Sequence, residues 1–431
     1  MTLSGSNSRL GVDPNQRPPG VRVVLDTRPL QAPDRAPLAA TYLDGLLTAF
    51  DSDPLEGESF TFLLAADLPD ATDVFAHLDV AGRRQLPPTR ILRAGAMTID
   101  PFILRGAELG TSWRADRRGA AGAVYHAVGN GPLPIGSGLP VVVTLLDLAP
   151  WELPQVFRRS LANRFGQRLR SQQLREAAAV IVGSEATAQA ARRVLRIHPD
   201  RLHVVRLAPR AGFAPRERAA DPGAAALLRE RLGLAARYLV LPGRFDARLD
   251  LGTLLSALAN LAATGRPAGL DSSVPWPPRV LLVGASPADR ASVARAAARK
   301  GIGDAIAYAP ALPVADLAGL IQGARGVILP VLSEAAGLPI IEAFACGTPV
   351  VASSVGPIPE LVGPAGLLVE PREPDRLATA LATIWVDDAV HGRLTGMAGT
   401  RAAADPRTWQ DVAGETRAVY ANVGVTRSAD A

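Results

Sequence analysis

The chain has 431 residues, of which 48% are hydrophobic and 20% are charged. This length and balance suit two globular domains and exclude a largely disordered protein. The formal net charge is +5, but the arginines are scattered and no known nucleic-acid-binding module is present, so we expect no nucleic-acid partner. The single cysteine, Cys346, excludes an internal disulfide framework and a cysteine-rich metal site.

In the first half of the chain, apolar runs alternate with helix-length segments. Residues 1–20 are rich in Ser, Asn, Pro and Gly, and we expect a disordered tail there. The predicted helices are 41–50 and 157–178. The predicted strands are 21–26, 61–65, 122–126, 141–144 and 179–182. This alternation predicts a parallel sheet with helices on both faces.

Two polar residues, His126 and Asp147, lie at the ends of predicted strands in this half. Ligands in parallel sheets bind beyond the carboxyl ends of the strands, so both residues are placed to face a cleft. A single histidine at such a position is as often a structural residue with its hydrogen bonds satisfied. For Asp147, tying the loop backbone is the expected structural role.

The second half repeats the pattern. A helix is predicted from Leu251, and a last helix at 408–420. Residues 210–223 contain Gly and Pro and are typical of a linker between two domains. The predicted strands are 237–241, 279–283, 305–308, 326–329, 349–352 and 366–369.

The most informative stretch holds two carboxylates, Glu334 and Glu342, with seven residues between them. Gly337-Leu338-Pro339 predicts the start of a helix that contains Glu342. We expect the N–H groups of this helix start to point at solvent, where they suit a phosphate. Glu342 would then accept hydrogen bonds from ribose hydroxyls, and Glu334 would face the group attached to the phosphate. The spacing alone would also fit an ordinary buried helix and strand.

The longer string E-A-A-G-L-P-I-I-E-A-F-A-C-G-T-P-V-V-A, residues 334–352, resembles the donor-site signature of family 4 (group 1) retaining glycosyltransferases. The usual pattern in that family is E-G-F-G-L-P-x-x-E-A-x-A-x-G-x-P-V-V-A. The resemblance implies the GT-B fold, which is α/β with two Rossmann-like, doubly wound parallel-sheet domains facing a central cleft. It implies an acceptor domain at 21–212, a linker at 213–223, a nucleotide-sugar-binding domain at 224–400, and a C-terminal helix at 401–424 that returns to the first domain.

The resemblance also assigns roles to single residues. Glu334 and Arg244 are the expected catalytic residues, and Arg244 would contact the donor diphosphate. His126 and Asp147 are expected on the acceptor side. The expected donor-binding residues are Glu342, Gly337, Leu338, Pro339, Arg248, Gly243 and Leu312.

Several positions depart from the family pattern. Leu249 stands where the family has a lysine as a second contact to the diphosphate, and loss of that cation would reduce the stabilisation of the transition state by about 3 kcal/mol. Arg248 is the adjacent substitute. Leu146 stands where the family has a histidine near the transferred sugar. The turn at 32–39 lacks the usual glycines, and Ala335-Ala336 replaces Gly-Phe.

We therefore expect a retaining glycosyltransferase that moves a hexose from a GDP- or UDP-sugar to a saccharide or lipid-linked acceptor, with mannose as the favoured hexose. No metal or other cofactor is expected. The alternatives are a catalytically impaired GT-B protein that binds a ligand or scaffolds another glycosyltransferase, and a sugar-nucleotide epimerase of the same fold. No signal peptide or membrane-spanning segment is recognised, so we expect a cytoplasmic protein, with peripheral contact at the inner membrane face as a further option.

Overall fold

The computed structural model describes residues 19–86, 121–131, 133, 139–157, 160–215, 222–243 and 245–429. Its contacts divide the chain into two compact units. The first unit is made of residues 1–151, 158–207 and 407–431, and the second of residues 152–157 and 208–406. Each unit contains one parallel β-sheet with helices interspersed among its strands, which confirms the predicted α/β class with two Rossmann-like domains.

The first unit is built on a seven-stranded sheet. Its strands are β1 Val21–Asp26, β2 Ser59–Ala65, β3 Val80–Leu86, β4 Ala121–Val128, β5 Val141–Thr144, β6 Ala179–Val182 and β7 Leu202–Val204. They lie in the order β3-β2-β1-β4-β5-β6-β7, and all the described pairs are parallel. The two outermost strands, β3 and β7, were not predicted from the sequence.

The second unit is built on a six-stranded sheet. Its strands are β8 Leu239–Pro242, β9 Val280–Val283, β10 Ile306–Ala309, β11 Gly326–Leu329, β12 Val350–Ser353 and β13 Gly366–Val369. They lie in the order β10-β9-β8-β11-β12-β13 and pair in parallel. Four of these six short strands, β8, β9, β11 and β12, are fully buried, as expected where helices cover both faces of a sheet.

The α-helices, in chain order, are α1 Arg28–Gln31, α2 Pro37–Ser52, α3 Ala149–Glu152, α4 Pro154–Phe157, α5 Leu161–Glu176, α6 Glu185–Leu195, α7 Pro222–Arg231, α8 Leu251–Thr264, α9 Pro287–Arg299, α10 Val314–Gln322, α11 Leu338–Ala345, α12 Ile358–Val362, α13 Pro374–Val386, α14 Asp388–Ala404 and α15 Trp409–Ala429. None of the described helices combines the length and apolar content needed to cross a membrane.

The last helix, α15, packs on the first unit. The Trp409 ring lies edge-on to Tyr42 of α2, with 5.8 Å between the ring centroids. Arg417 of α15 forms a buried bidentate ion pair with Glu58, with distances of 2.9 and 2.6 Å. This pair and the aromatic contact attach the C-terminal helix to the first unit.

The segment that follows residue 207 already belongs to the second unit before helix α7 begins. Phe213, the first residue of the predicted linker, is buried in the core of the second unit. The side-chain amide of Gln322 donates a hydrogen bond to the carbonyl of Ala214 at 2.7 Å. Residues 213 and 214 are therefore held against α10 of the second unit.

Candidate functional site

The loop after β11 leads to Glu334 and is held by its neighbours. The N–H of Val331 donates to the hydroxyl of Ser353 at 2.9 Å. The N–H of Leu332 donates to the carbonyl of Arg248 at 2.7 Å. These contacts join the loop to the end of β12 on one side and to the segment after β8 on the other.

The same loop is held closely at Glu334 itself. Ser333 donates from its hydroxyl to Oε2 of Glu152 at 2.5 Å. Gly356 has a φ of +51°, and a Cβ added there would lie 2.2 Å from the backbone carbonyl oxygen of Glu334. Only glycine allows the backbone to pass so close in this conformation. The position of the Glu334 backbone therefore depends on Gly356.

The Glu334 carboxylate does not point away from its own loop. Its Oε1 accepts hydrogen bonds from the N–H groups of Ala335, Ala336 and Gly337 at 3.1, 2.9 and 3.0 Å. We expected the N–H groups of the helix start to face open solvent, and at Gly337 the structure corrects this, because its N–H donates to the preceding carboxylate and Gly337 is buried. A charged acceptor is a strong partner for three converging amides, so a phosphate would have to compete with Glu334 for them.

Helix α11 begins where the sequence predicts. Gly337 adopts a left-handed conformation with a φ of +69°, Leu338 is the first helical residue, and Pro339 lies in the first turn. The helix ends at Ala345, and Gly347 follows with a φ of +72°. At both ends of the helix, glycine adopts the left-handed conformation without steric strain, because it has no Cβ.

Glu342 is only 3% exposed and pairs with Arg210. Nε of Arg210 donates to Oε1 at 2.5 Å and Nη2 donates to Oε2 at 2.9 Å. The same guanidinium lies over the ring of Phe213, 5.0 Å from its centroid. Burial raises the pKa of Glu342, and the hydrogen bonds and charge of Arg210 oppose this rise.

Arg210 was not predicted as a site residue. It lies in the segment that we interpreted as a linker, 132 residues before Glu342 in the chain. A buried carboxylate requires a cation, so the predicted burial of α11 gave a reason to look for one. The sequence offers 46 lysines and arginines, however, and no local spacing connects Glu342 to Arg210.

Arg248, expected to substitute for a missing lysine, is paired elsewhere. Its Nη2 lies 2.6 Å from Oδ2 of Asp246, and its N–H donates to Oδ1 of the same carboxylate at 2.9 Å. Leu249 forms an antiparallel bridge with Val331 and packs against the core of the second unit. The apolar side chain at position 249 therefore has a structural reason, and the Arg248 charge is balanced by Asp246.

The other residues that we expected to contact the donor are Gly243, Leu312 and Arg244. Gly243 follows β8 with a φ of +119° and is exposed, and its N–H donates to the carbonyl of Val283 at 3.1 Å. Leu312 is half-buried and packs against the core beside α10. Arg244 lies outside the residues that the structure describes. Within the described part of the chain, no group of three His, Cys, Asp or Glu residues is placed to hold a metal ion.

His126 does not face a cleft, which corrects its expected place on the acceptor side. It is fully buried, with Nδ1 2.6 Å from the hydroxyl of Tyr420 and Nε2 2.8 Å from the hydroxyl of Thr144. The alternation of side chains along β4 turns it toward the face covered by α15. Burial lowers the pKa of His126 to about 3.

The buried His126 predicts a dependence of stability on pH. Between pH 6.5 and about 3 the unfolded chain binds a proton at this histidine and the folded chain does not. The free energy of unfolding should therefore fall as pH decreases, by about 1.4 kcal/mol per pH unit from this group. Urea unfolding from pH 7.5 to pH 5 should show a smaller fall for His126→Gln than for the wild type. The exposed His77→Gln is the matched control, and equal slopes for all three proteins would contradict the prediction.

Asp147 has the backbone role that we weighed for it. Its Oδ1 accepts from the N–H of Ala149 at 3.0 Å, and its Oδ2 accepts from the side-chain amide of Asn130 at 3.0 Å. Leu146 beside it is buried. Both residues thus help to shape the loop after β5.

A polar cluster at the carboxyl ends of β1 and β4 was not predicted. The Asp26 carboxylate accepts from Nε and Nη2 of Arg28 at 2.7 and 2.5 Å. Arg170 is buried, donates to the carbonyl of Gly129 at 2.6 Å, and has its pKa lowered to about 10 by burial. The D-T-R sequence after β1 was the available signal. The ion pair between Asp26 and Arg28, together with α1, lies just before the glycine-free turn at 32–39.

Part of the chain matches the model of a known protein family. Residues 236–387 match the model of the family described as Glycosyl transferases group 1. The matched segment begins just before β8 and ends just after α13, so it contains the whole second sheet together with Glu334 and Glu342. It covers about a third of the chain.

Two curated relatives share part of the sequence. The chain is 40% identical over 126 residues to MMP alpha-(1->4)-mannosyltransferase of Mycolicibacterium hassiacum, which covers 28% of this chain and 30% of the relative. It is 28% identical over 288 residues to D-inositol 3-phosphate glycosyltransferase of Jonesia denitrificans, which covers 65% of this chain and 64% of the relative. The chain thus matches less than two thirds of the length of either relative.

The likeness to solved structures extends over nearly the whole chain. Anabaena Alr3699/HepE, solved in complex with UDP-glucose, has a TM-score of 0.62 at 18% identity, covering 95% of this chain and 99% of that protein. Identity this low shows the fold alone, and it confirms the GT-B fold predicted from the sequence. Residues 236–387 are therefore similar to a group 1 glycosyltransferase domain, and the chain has a GT-B fold.

Proposed function

We propose that this protein is a retaining glycosyltransferase that moves a hexose from a nucleoside diphosphate sugar to a saccharide or lipid-linked acceptor. The observation that carries the proposal is the matched segment 236–387, which contains Glu334 and Glu342 on one loop and helix of the second unit. The alternative of a non-catalytic partner protein rests only on the departures at Leu146, Leu249 and the turn at 32–39. The comparisons with glycosyltransferases do not favour it.

The donor is proposed from the relatives and from the site chemistry. The Anabaena neighbour was solved with UDP-glucose, and one curated relative is named as a mannosyltransferase. These support a nucleoside diphosphate hexose, with mannose as the first hexose to test and UDP and GDP as the two nucleotides to compare. Among the described residues, Arg210 is the cation nearest to Glu342 in the proposed nucleotide region.

Within this proposal the two carboxylates act differently. Each oxygen of Glu342 has a second lone pair beyond the one that accepts from Arg210, and we assign these lone pairs to the ribose hydroxyls. Oε1 of Glu334 holds the turn before α11, and we assign its Oε2 to the transferred sugar. Both side chains would bind and orient the donor rather than exchange protons with it.

The proposed transfer needs no dedicated base. The bond from the anomeric carbon to the diphosphate oxygen breaks, and a bond from that carbon to the acceptor oxygen forms on the same face. The acceptor proton passes to the departing phosphate oxygen. Arg244, by its resemblance to the family arginine, is assigned to the negative charge that develops on the diphosphate. We propose that no metal ion takes part.

The proposal is tested first by thermal melting with UDP, GDP, ADP and their sugars, in the presence of EDTA. A nucleotide at a hundred times its dissociation constant should stabilise the folded protein by about 2.7 kcal/mol. Glu342→Gln should remove that shift, and the exposed Glu373→Gln in the same unit should retain it. If none of the nucleotides shifts the wild type, the donor assignment fails. A nucleotide that does shift it is then used to assay sugar transfer.

A further inference from the structure

The segment that carries Arg210 is anchored within the second unit. The N–H of Phe213 donates to the carbonyl of Arg210 at 3.2 Å and closes a turn. Phe213 is buried in the core of that unit, and the Arg210 guanidinium lies over its ring. The next residue, Ala214, accepts a hydrogen bond at its carbonyl from the side chain of Gln322. The backbone and the guanidinium of Arg210 are therefore both held against the second unit.

Arg210 fixes the plane of the Glu342 carboxylate. A glutamate side chain has broad rotational freedom about its last bond. Here Nε and Nη2 of Arg210 donate to the two different oxygens of Glu342, at 2.5 and 2.9 Å. Two parallel hydrogen bonds from a planar guanidinium hold a carboxylate in one orientation. The lone pairs of Glu342 that Arg210 leaves unused therefore point in defined directions.

Arg210 also favours the ionised form of Glu342. Burial raises the pKa of this carboxyl group, and the side chain and backbone N–H of Arg210 oppose that rise. Without the cation, a carboxyl group that is almost completely buried would tend to take up a proton. A protonated carboxyl group accepts weaker hydrogen bonds from hydroxyl groups than an ionised one does. Arg210 thus controls how strongly Glu342 can bind a hydroxyl group.

We propose that Arg210 is a positioning residue that acts through Glu342 and makes the donor site selective for ribonucleoside diphosphate sugars over 2′-deoxyribonucleoside diphosphate sugars. This inference rests on the proposed function, which assigns the remaining lone pairs of Glu342 to the ribose hydroxyls. Sugars of UDP, GDP and ADP carry both ribose hydroxyls, whereas sugars of dTDP lack the 2′-hydroxyl. The site therefore disfavours dTDP-sugars as donors.

The size of the selectivity follows from the charge of the acceptor. Loss of a hydrogen bond to a charged group weakens binding about tenfold to a hundredfold, and loss of one to a neutral group about threefold to tenfold. When the 2′-hydroxyl is missing, Arg210 still balances the charge of Glu342, so the loss is smaller than for a carboxylate left without any partner. We therefore expect a preference of about thirtyfold for the ribonucleotide.

The test is calorimetric titration of the full chain with UDP and 2′-deoxy-UDP, or with GDP and 2′-deoxy-GDP if GDP gives the larger thermal shift. In Arg210→Gln the preference should fall from about thirtyfold to about fivefold or less, because Glu342 is neither oriented nor kept ionised. Arg210→Lys retains the charge but not the two parallel donors, so its preference should be intermediate. This milder variant also allows the measurement if Arg210→Gln does not fold.

The matched control is Arg325→Gln. Arg325 belongs to the same unit, its side chain is 10% exposed, and it pairs with Asp388. It lies immediately before β11, whereas the Glu334 loop follows that strand, so the two lie at opposite ends of it. Its loss should lower the stability and leave the ratio of the two nucleotide affinities at the wild-type value.

The ratio of affinities separates positioning from a purely structural role. If Arg210 only stabilised the fold, its variants would bind both nucleotides more weakly by the same factor, and the ratio would not change. An unchanged ratio in both Arg210 variants, or equal binding of the two nucleotides by the wild type, would overturn this inference while leaving the proposed function intact. If the ribonucleotide itself does not bind to the wild type, the proposed function fails and this inference fails with it.

Discussion

Replacing Arg210 by glutamine is expected to lower the free energy of unfolding by about 3 kcal/mol at pH 7. The change removes the cation that donates twice to Glu342 and leaves a carboxylate that is 3% exposed without its counter-charge. Glu342→Gln should have a smaller effect, because the Arg210 side chain is 27% exposed and water can solvate it. Urea unfolding of both single variants and the double variant measures the coupling between them.

The pH dependence of the Arg210→Gln variant separates loss of the ion pair from loss of packing. Burial raises the pKa of Glu342 and Arg210 opposes it, so removing Arg210 should raise this pKa further. A carboxyl group with a raised pKa in the folded state binds its proton on folding, so the destabilisation should be largest at high pH and shrink as pH falls. The double variant with Glu342→Gln should not show this recovery. A loss of stability that is the same from pH 8 to pH 5 would mean that Arg210 acts by packing alone.

Replacing Gly356 by alanine is expected to be the most damaging small change near Glu334, lowering the free energy of unfolding by about 3 kcal/mol. The added Cβ would lie 2.2 Å from the carbonyl oxygen of Glu334, and backbone cannot move aside as a flexible side chain can. The loop would have to shift, carrying Glu334 with it. Nucleotide binding, measured by the same thermal shift as for the wild type, should weaken because Glu334 is displaced.

Gly347→Ala is the matched control for this prediction. Gly347 also has a positive φ, +72°, but nothing lies within 4 Å of a Cβ added there. The left-handed conformation alone should lower the stability by about 1 kcal/mol. The difference between the two variants therefore measures the contact with the Glu334 loop. If both variants lose the same stability and both keep nucleotide binding, Gly356 does not position that loop.

The central strands were predictable because they are short, apolar and bounded by turn residues. The bounds of β1, β5, β6 and β11 are the predicted ones, as are those of the edge strand β13. The edge strand β3 contains Gly82, Arg83 and Arg84 and is mostly exposed, so it has none of the apolar pattern that identifies a buried strand. At the other edge, β7 has only three residues. Both strands form because a neighbouring strand offers them a backbone partner.

The candidate site also contains some features that the sequence predicted and others that it did not. The start and end of α11 were predictable, since Gly337, Pro339 and Gly347 act through their own backbone conformations. The roles of the side chains were less predictable. His126 was expected to face an acceptor but is buried beside Tyr420, and Glu334, whose Oε2 we assign to the sugar, also caps its own loop through Oε1. The expected spare cation, Arg248, is paired with Asp246.

By itself, the sequence determined the two-domain α/β architecture, the GT-B fold and the helix start that carries Glu342. These properties follow from local patterns of apolar residues, glycine and proline, which act over a few residues of chain. Only the tertiary structure decided which charged side chains pair with each other. Arg210 pairs with Glu342, which lies 132 residues later in the chain. Gly356, which follows β12, lies against the backbone of Glu334, which precedes that strand. Such contacts depend on how elements pack together, and no spacing within the sequence encodes them.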